Sequence, residues 1–322
     1  MWNKKSFLFI IMVIIAGVFI ACPIMSATTD DEEQATLQYN NFNYIINADD
    51  NTVTITKYLG EEISPVIPNE IEGKQVTVIG QSAFERNLKI KTVSIPSGVT
   101  AIGSQAFIFC ENLEEINLPE TVNEVGSNAF LACKNLKSIK IPENVKTIDY
   151  GTFSYCTNIK EVTLPTSLTT IQAYAFRDCK NLKAITIPEG VKSVPSYCFS
   201  ECDNLETVIL PTSLESIDEF AFQYCTKLMN VKLQSGVKEI GFAAFTSCNS
   251  LKEITIPETV ISIGQLAFNR CDDLLKISIL SPDVKIEKDA FRKCGLAIIC
   301  ANNDSTGAAY AKTNKMPLVI LK

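Results

Sequence analysis

The chain has 322 residues, and its 29 Lys+Arg against 36 Asp+Glu give a net charge of −7, spread along the sequence without a basic block. Binding to nucleic acid rests on cations that neutralise phosphates, so no nucleic-acid partner is expected. Histidine is absent, which removes the commonest general base, the Ser-His and Cys-His nucleophile pairs and every His-ligated metal site.

The N-terminus reads as an export signal. Lys4 and Lys5 precede an unbroken run of 14 apolar or small residues at positions 7–20, short for a membrane span and right for a signal core. A polar stretch at 26–36 follows, with Asp30, Asp31, Glu32 and Glu33. The expected location is the cell surface, the outer envelope or the medium; an uncleaved membrane anchor is the alternative. Phe19-Ile20-Ala21-Cys22 resembles the lipobox of bacterial lipoproteins, although Phe19 stands where Leu is usual and Pro23 follows the cysteine. Cys22 is therefore a candidate for lipidation, the one membrane attachment foreseen. Cleavage a few residues later, for example after Ala27, is the other outcome. One acyl chain holds only marginally, so a stable anchor needs several.

Asn43-Tyr44-Ile45-Ile46 and Thr52-Val53-Thr54-Ile55-Thr56 predict two strands joined by an Asp49-Asp50-Asn51 hairpin turn. A stack of coils must have its end covered, and a hairpin laid across the first coil serves as that cap.

The stack itself is announced by phenylalanine. Phe84, Phe107, Phe130, Phe153, Phe176, Phe199, Phe222, Phe245, Phe268 and Phe291 follow one another at 23 residues without a slip. Such a period means one supersecondary unit stacked on copies of itself, which overrides the two domains that length alone suggests. The unit is [IV]-[GDQPE]-x-x-A-F-x-x-C-x-x-L-x-x-[IV]-x-[IL]-P-x-x-[VL]-x-x. Its Leu-x-x-Ile-x-Leu segment alternates like a strand, with Leu136, Ile139 and Ile141 inward and Ser138 and Lys140 outward. Proline has no N–H for a ladder, so Pro96, Pro119, Pro142, Pro165, Pro188, Pro211 and Pro257 mark strand exits. Gln234 replaces one of them, and Pro282 falls two residues late. The Ala-Phe-x-x-Cys stretch reads as a single helical turn on the opposite side. The fold class is thus a right-handed solenoid with a parallel β-sheet, and ten coils at about 4.8 Å make a rod of roughly 45–50 Å.

Beyond Cys300 the period is lost. Residues 306–312 predict a short helix and residues 317–321 a closing strand. The organisation is then a signal segment at 1–22, a polar linker at 23–36, an N-terminal cap at 37–75, the solenoid at 76–301 and an αβ cap at 302–322.

Nine cysteines, from Cys110 to Cys294, keep the same period as the phenylalanines. Equivalent residues on adjacent coils have Cβ atoms about 4.8 Å apart, whereas a disulfide wants about 3.8 Å and a twisted approach. The expectation is a column of small buried fillers, with Cys198 filling an alanine position. A linear column does not enclose a metal ion tetrahedrally; neither metal nor cofactor is expected.

The repeat resembles the BspA-like class of leucine-rich repeats. Ile102-Gly103, Ala106-Phe107, Cys110, Leu113 and Ile116-Asn117-Leu118-Pro119 carry the resemblance in one copy. The flanks are similar too, through residues 54–60, 71–80 and 310–317. The resemblance implies a leucine-rich-repeat solenoid and a bacterial surface or secreted protein without catalytic activity. Some members are adhesins for host matrix or cell-surface proteins. The alternative is an envelope scaffold engaging the cell's own proteins or glycans, and a histidine-independent hydrolase is a remote third.

Two surfaces are candidates for a protein or glycan partner. One is the outward row of the sheet, which includes Lys140, Thr163, Thr186, Ile209 and Lys232. The other is a set of aromatic residues shortly before successive phenylalanines: Tyr150, Tyr174, Tyr197, Phe220 and Phe242. Half-buried packing between coils is the plainer account of the second set.

Overall fold

The computed structural model describes residues 35–48, 51–295 and 297–321. The export segment and Cys22 lie outside the described residues, and Thr36–Lys322 forms one compact unit.

Each repeat becomes a coil with three sides. The first side is a short strand such as Glu115–Asn117, Ser138–Lys140 or Glu161–Thr163. Neighbours pair in parallel in the register of the repeat, with Ser138 opposite Glu161, Ile139 opposite Val162 and Lys140 opposite Thr163. The middle residue of each strand is buried and its neighbours face solvent, as period-two alternation requires. Where Gln234 stands in place of proline, its Nε2 donates to the Leu210 carbonyl at 3.2 Å. The strand there shrinks to Asn230–Val231.

The second side was not anticipated. The dipeptides before the Gly/Asp position, such as Thr147–Ile148 and Thr170–Ile171, form a second parallel ladder. Two residues are too few to carry a periodic signal.

The third side corrects the expected helical turn. Around Phe107, the backbones of Gln105 and Phe109 have φ of 60° and 58°, and the same left-handed pair recurs in later coils as Tyr174 with Asp178 and Tyr197 with Glu201. Two left-handed residues four apart thus flank each core phenylalanine, and the N–H groups of this stretch point by turns within the coil and to the next one. Those of Ala106, Ile108 and Cys110 close tight turns within the coil, onto Gly103, Gln105 and Phe107 at 3.0–3.2 Å. Those of Gln105, Phe107 and Phe109 donate to Ser127, Ala129 and Leu131 of the next coil at 2.8–2.9 Å. A helix would turn all its N–H groups inward on itself and leave this side of adjacent coils unbonded.

The core is the predicted phenylalanine column. From Phe84 to Phe291 adjacent rings stack with centroids 4.9–5.6 Å apart. Tyr58 and Phe42 extend the column at one end, at 5.1 and 5.2 Å, and Tyr310 meets Phe291 edge-on at the other.

The hairpin does not lie across the first coil. Its second strand, Thr52–Tyr58, pairs in parallel with Lys74–Ile79, and Val53 faces Val76 one full period later. It takes the place of a coil, with Phe42–Ile46 and the unanticipated strand Leu37–Tyr39 added antiparallel outside it. At the far end the helix Thr306–Thr313 starts at an N-cap, Ser305, whose Oγ accepts from the Ala308 N–H at 3.2 Å. Its Tyr310 hydroxyl accepts from the Phe291 N–H at 3.4 Å, standing in for the carbonyl of a next coil. Leu318–Ile320 then closes the sheet in parallel on Ile298–Ala301.

Candidate functional site

The strand side presents the first candidate row as foreseen. Lys140, Thr163, Thr186, Ile209 and Lys232 are all exposed. Lys140 is opposite Thr163, and Thr186 is opposite Ile209. Depressions are shallow: about 500 Å³ around Thr163, Ala184 and Thr186, and about 360 Å³ around Ile209, Met229 and Lys232. Charge here is mixed and partly self-paired. Lys140 holds Glu120 at 2.6 Å, and Lys91 and Lys137 share Glu114 at 3.2 and 2.5 Å.

On the turn side the five predicted aromatic residues do come together. Successive rings from Tyr150 through Tyr174, Tyr197 and Phe220 to Phe242 have centroids 4.6–5.2 Å apart. All five are half-buried. Tyr174, Tyr197 and Phe220 occupy the left-handed position two residues before the core phenylalanine, with φ of 57–61°. That position projects its side chain outward, so identical placement on consecutive coils stacks the rings. In the flanking coils the same position holds Gly151 and Ala243. Tyr150 and Phe242 reach the column from one residue earlier, which is why they meet it at 50° and 75° instead of flat.

A cation is built into this strip. The Arg177 guanidinium lies 5.7, 5.8 and 5.9 Å from the rings of Tyr155, Tyr174 and Tyr197 and pairs with Glu201 at 2.8 Å. Lys180 sits 3.5 Å from the buried Asp178. Burial pushes the Tyr174 hydroxyl up to about 12, and burial likewise raises Asp149, Asp178 and Asp203 above the usual carboxylate range. Arg177 and Glu201 were missed in the sequence because they fall at ordinary variable positions, one and two residues after a core phenylalanine, whereas Tyr155 stands out as an aromatic residue just before a periodic cysteine.

Two further ladders run the length of the stack. The nine periodic cysteines are free and buried. Each thiol donates to the carbonyl of the preceding coil's core phenylalanine, at 2.9–3.3 Å. Cysteine is therefore a donor as well as a filler. Burial pushes the thiols of Cys110, Cys156 and Cys294 up to about 12 and raises the other six further, so none is a nucleophile near neutrality. The second ladder, Asn112, Asn135, Asn158, Asn181 and Asn204, passes amide hydrogen bonds of 2.9–3.3 Å from coil to coil. Its period is also 23, and it is visible in the sequence once that period is known.

No group of three or more Cys, Asp or Glu among the described residues could hold a metal ion. No helix among them is long and apolar enough to cross a membrane.

A family model described as the BspA type leucine-rich repeat region matches residues 77–203 and 169–297, with six copies. Among solved structures, a leucine-rich repeat protein of T. pallidum is 31% identical, with a TM-score of 0.56 over 67% of this chain and 91% of that one. A leucine-rich cell surface protein from Faecalibacterium prausnitzii is 28% identical, with a TM-score of 0.42, covering 83% of this chain and 94% of that one. A leucine-rich repeat protein from Eubacterium ventriosum matches in fold at 20% identity, with a TM-score of 0.50 over 82% of this chain and 84% of that one. No curated protein matches the chain.

Proposed function

The chain belongs to the BspA-type leucine-rich repeat family, and from that footing we propose that it is an exported, non-catalytic recognition protein whose turn side binds a protein partner. The supporting observation is the aromatic strip with Arg177 set against it. Tyrosine and arginine are the residues in which interface hot spots are enriched. The strand side offers mainly threonine and serine with scattered lysine, Lys140 among them already paired with Glu120. The stacking also favours protein over glycan. Sugars pack on ring faces, and within this strip the faces are already turned on one another at 4.6–5.2 Å.

An adhesin for host matrix or cell-surface proteins is the form of recognition proposed, with Cys22 as the anchor point. Intact mass of the exported chain reads the cleavage site and any acyl mass on Cys22 together. Binding is tested against a panel of matrix proteins and whole cells. Tyr174→Ser with Tyr197→Ser is set beside Thr163→Arg with Thr186→Arg, and thermal melts establish that both pairs fold. Loss of at least tenfold in affinity from the tyrosine pair alone is expected. Loss from the threonine pair alone moves the site to the strand side.

A further inference from the structure

Resting on the turn-side assignment, we infer that the strip takes a cationic segment of the partner: an extended stretch of chain with two basic residues about four positions apart. The first observation is what the rings leave available. Their faces are occupied, so the strip presents ring edges and the hydroxyls of Tyr174 and Tyr197, which are oxygen acceptors.

The second observation is charge. Asp149 directly precedes Tyr150, and Asp218 and Glu219 directly precede Phe220. The Glu219 charge reaches the Tyr197 hydroxyl, and that of Glu124 reaches Asp149. Two cations beside the strip are already committed, Arg177 to Glu201 at 2.8 Å and Lys180 to Asp178 at 3.5 Å. Among the described residues no cation lies within ion-pair distance of Asp149, Asp218 or Glu219. On the strand side, by contrast, Lys91, Lys137 and Lys140 pair with Glu114 and Glu120 across coils. The turn side is thus where uncompensated negative charge and hot-spot residue types coincide, and a cationic partner is complementary to both.

Geometry sets the spacing. Asp149 and Asp218 occupy the same position of the repeat, four residues before Phe153 and Phe222. They are three coils apart, roughly 14 Å at about 4.8 Å per coil. An extended chain advances about 3.4 Å per residue, so some four residues bridge the two carboxylates. The two intervening coils hold Gln172 and Pro195 at that position and carry Tyr174 and Tyr197 two residues further on, alongside which uncharged residues of the segment would run.

Fluorescence anisotropy of short labelled peptides on the full exported chain tests this. One peptide carries lysines at positions 1 and 5 separated by three alanines, a second replaces both lysines by glutamate, and a third places the two lysines side by side. The first is expected to bind at least tenfold more tightly than the other two, and to weaken steeply between 50 and about 200 mM salt. Asp149→Asn with Asp218→Asn is expected to remove most of that preference without altering the melting temperature by more than a few degrees. Equal binding of the lysine and glutamate peptides overturns the inference, as does indifference to the double variant. Side-by-side lysines that bind as well as spaced ones overturn the spacing. The parent assignment stays separable. If Tyr174→Ser with Tyr197→Ser abolishes binding to the partner protein while peptides of every charge bind alike, the turn side is the site and the cationic segment is wrong. If those tyrosine variants leave partner binding intact, both fall.

Discussion

Strand side and turn side hold the same coils together in different ways. On the strand side, parallel ladders such as Ile139 with Val162 use ordinary extended backbone, and surface lysines and glutamates pair across coils. On the turn side left-handed residues flank each core phenylalanine, N–H groups cross to the next coil, and aromatic residues fill both the inside and much of the outside. A strand tolerates any outward residue. The turn side constrains backbone, core and surface at once, so substitutions there are expected to cost more and to carry the specificity.

The largest effect expected follows from the core. Phe176 stacks on Phe153 and Phe199 at 5.6 and 5.4 Å and is fully buried. Phe176→Ala removes a ring with neighbours on both sides and is expected to cost about 3–5 kcal/mol. Phe42, at the end of the column, stacks on Tyr58 alone and is expected to cost less. Denaturant midpoints compare the two; equal losses would mean that the column does not act as a continuous core.

Backbone handedness gives the next effect. Gln105 is left-handed at φ 60°, where a β-branched residue is strongly disfavoured. Gln105→Val is expected to destabilise by about 1–2 kcal/mol, and Gln105→Gly to be neutral or better. The same valine at strand-side Thr163 is expected to change stability by less than about 0.5 kcal/mol. A helical turn, which the sequence had led us to expect, would give the reverse order for valine and glycine at position 105, because glycine is the poorer helix former.

That expectation explains how far the sequence could be read. Phe84 to Phe291 gave the core, the coil length and the strand side, because burial of a large ring is hard to replace and so repeats cleanly. The left-handed positions hold Gln105, Asn128, Tyr174, Phe220 and Leu266 in successive or nearby coils. No common residue type marks them, since the cross-coil hydrogen bonds impose the conformation and no glycine is needed to allow it. Val53 and Val76 carry the period into the hairpin, yet the phenylalanine that flags every other coil is replaced there by Tyr58, displaced in register. The aromatic strip was legible as neighbours on adjacent coils. Its cation was not, because Arg177 acquires meaning only once Tyr155, Tyr174 and Tyr197 are seen around it.

A smaller effect separates the cysteines from simple fillers. Cys179→Ala removes the thiol that donates to the Phe153 carbonyl at 3.3 Å, and a loss of about 1 kcal/mol is expected. Thiol titration adds a second check. The ladder cysteines should be silent in the folded chain and react fully after denaturation without reductant, whereas recovery that depends on reductant would reveal disulfides.

The smallest effect turns on the sign of pH dependence, and it opposes the two sides directly. Hydrogen bonds from Lys137 and Lys91 hold Glu114, on the strand side, below its usual range, and Lys238 and Lys192 do the same for Glu215 beside the second parallel ladder. A carboxylate depressed in the folded state contributes stability above its unfolded pKa and loses it as pH falls through the folded value. Asp149 is raised, first by burial and then by Glu124. Its protonated form is favoured in the folded state, so its contribution is fully present below the unfolded pKa and is lost as pH rises through the folded value. Glu114→Gln with Glu215→Gln should therefore lower the midpoint at pH 7 and leave it unchanged near pH 3. Asp149→Asn should raise the midpoint at pH 7 and change little in acid, since asparagine still accepts from the Gln172 amide now held at 3.0 Å. Shifts of the same sign at pH 7 would remove the electrostatic contrast between the sides. If the signs oppose, Asp149 is a residue whose charge costs stability and whose replacement should weaken the cationic segment, which is the balance expected of a position retained for binding.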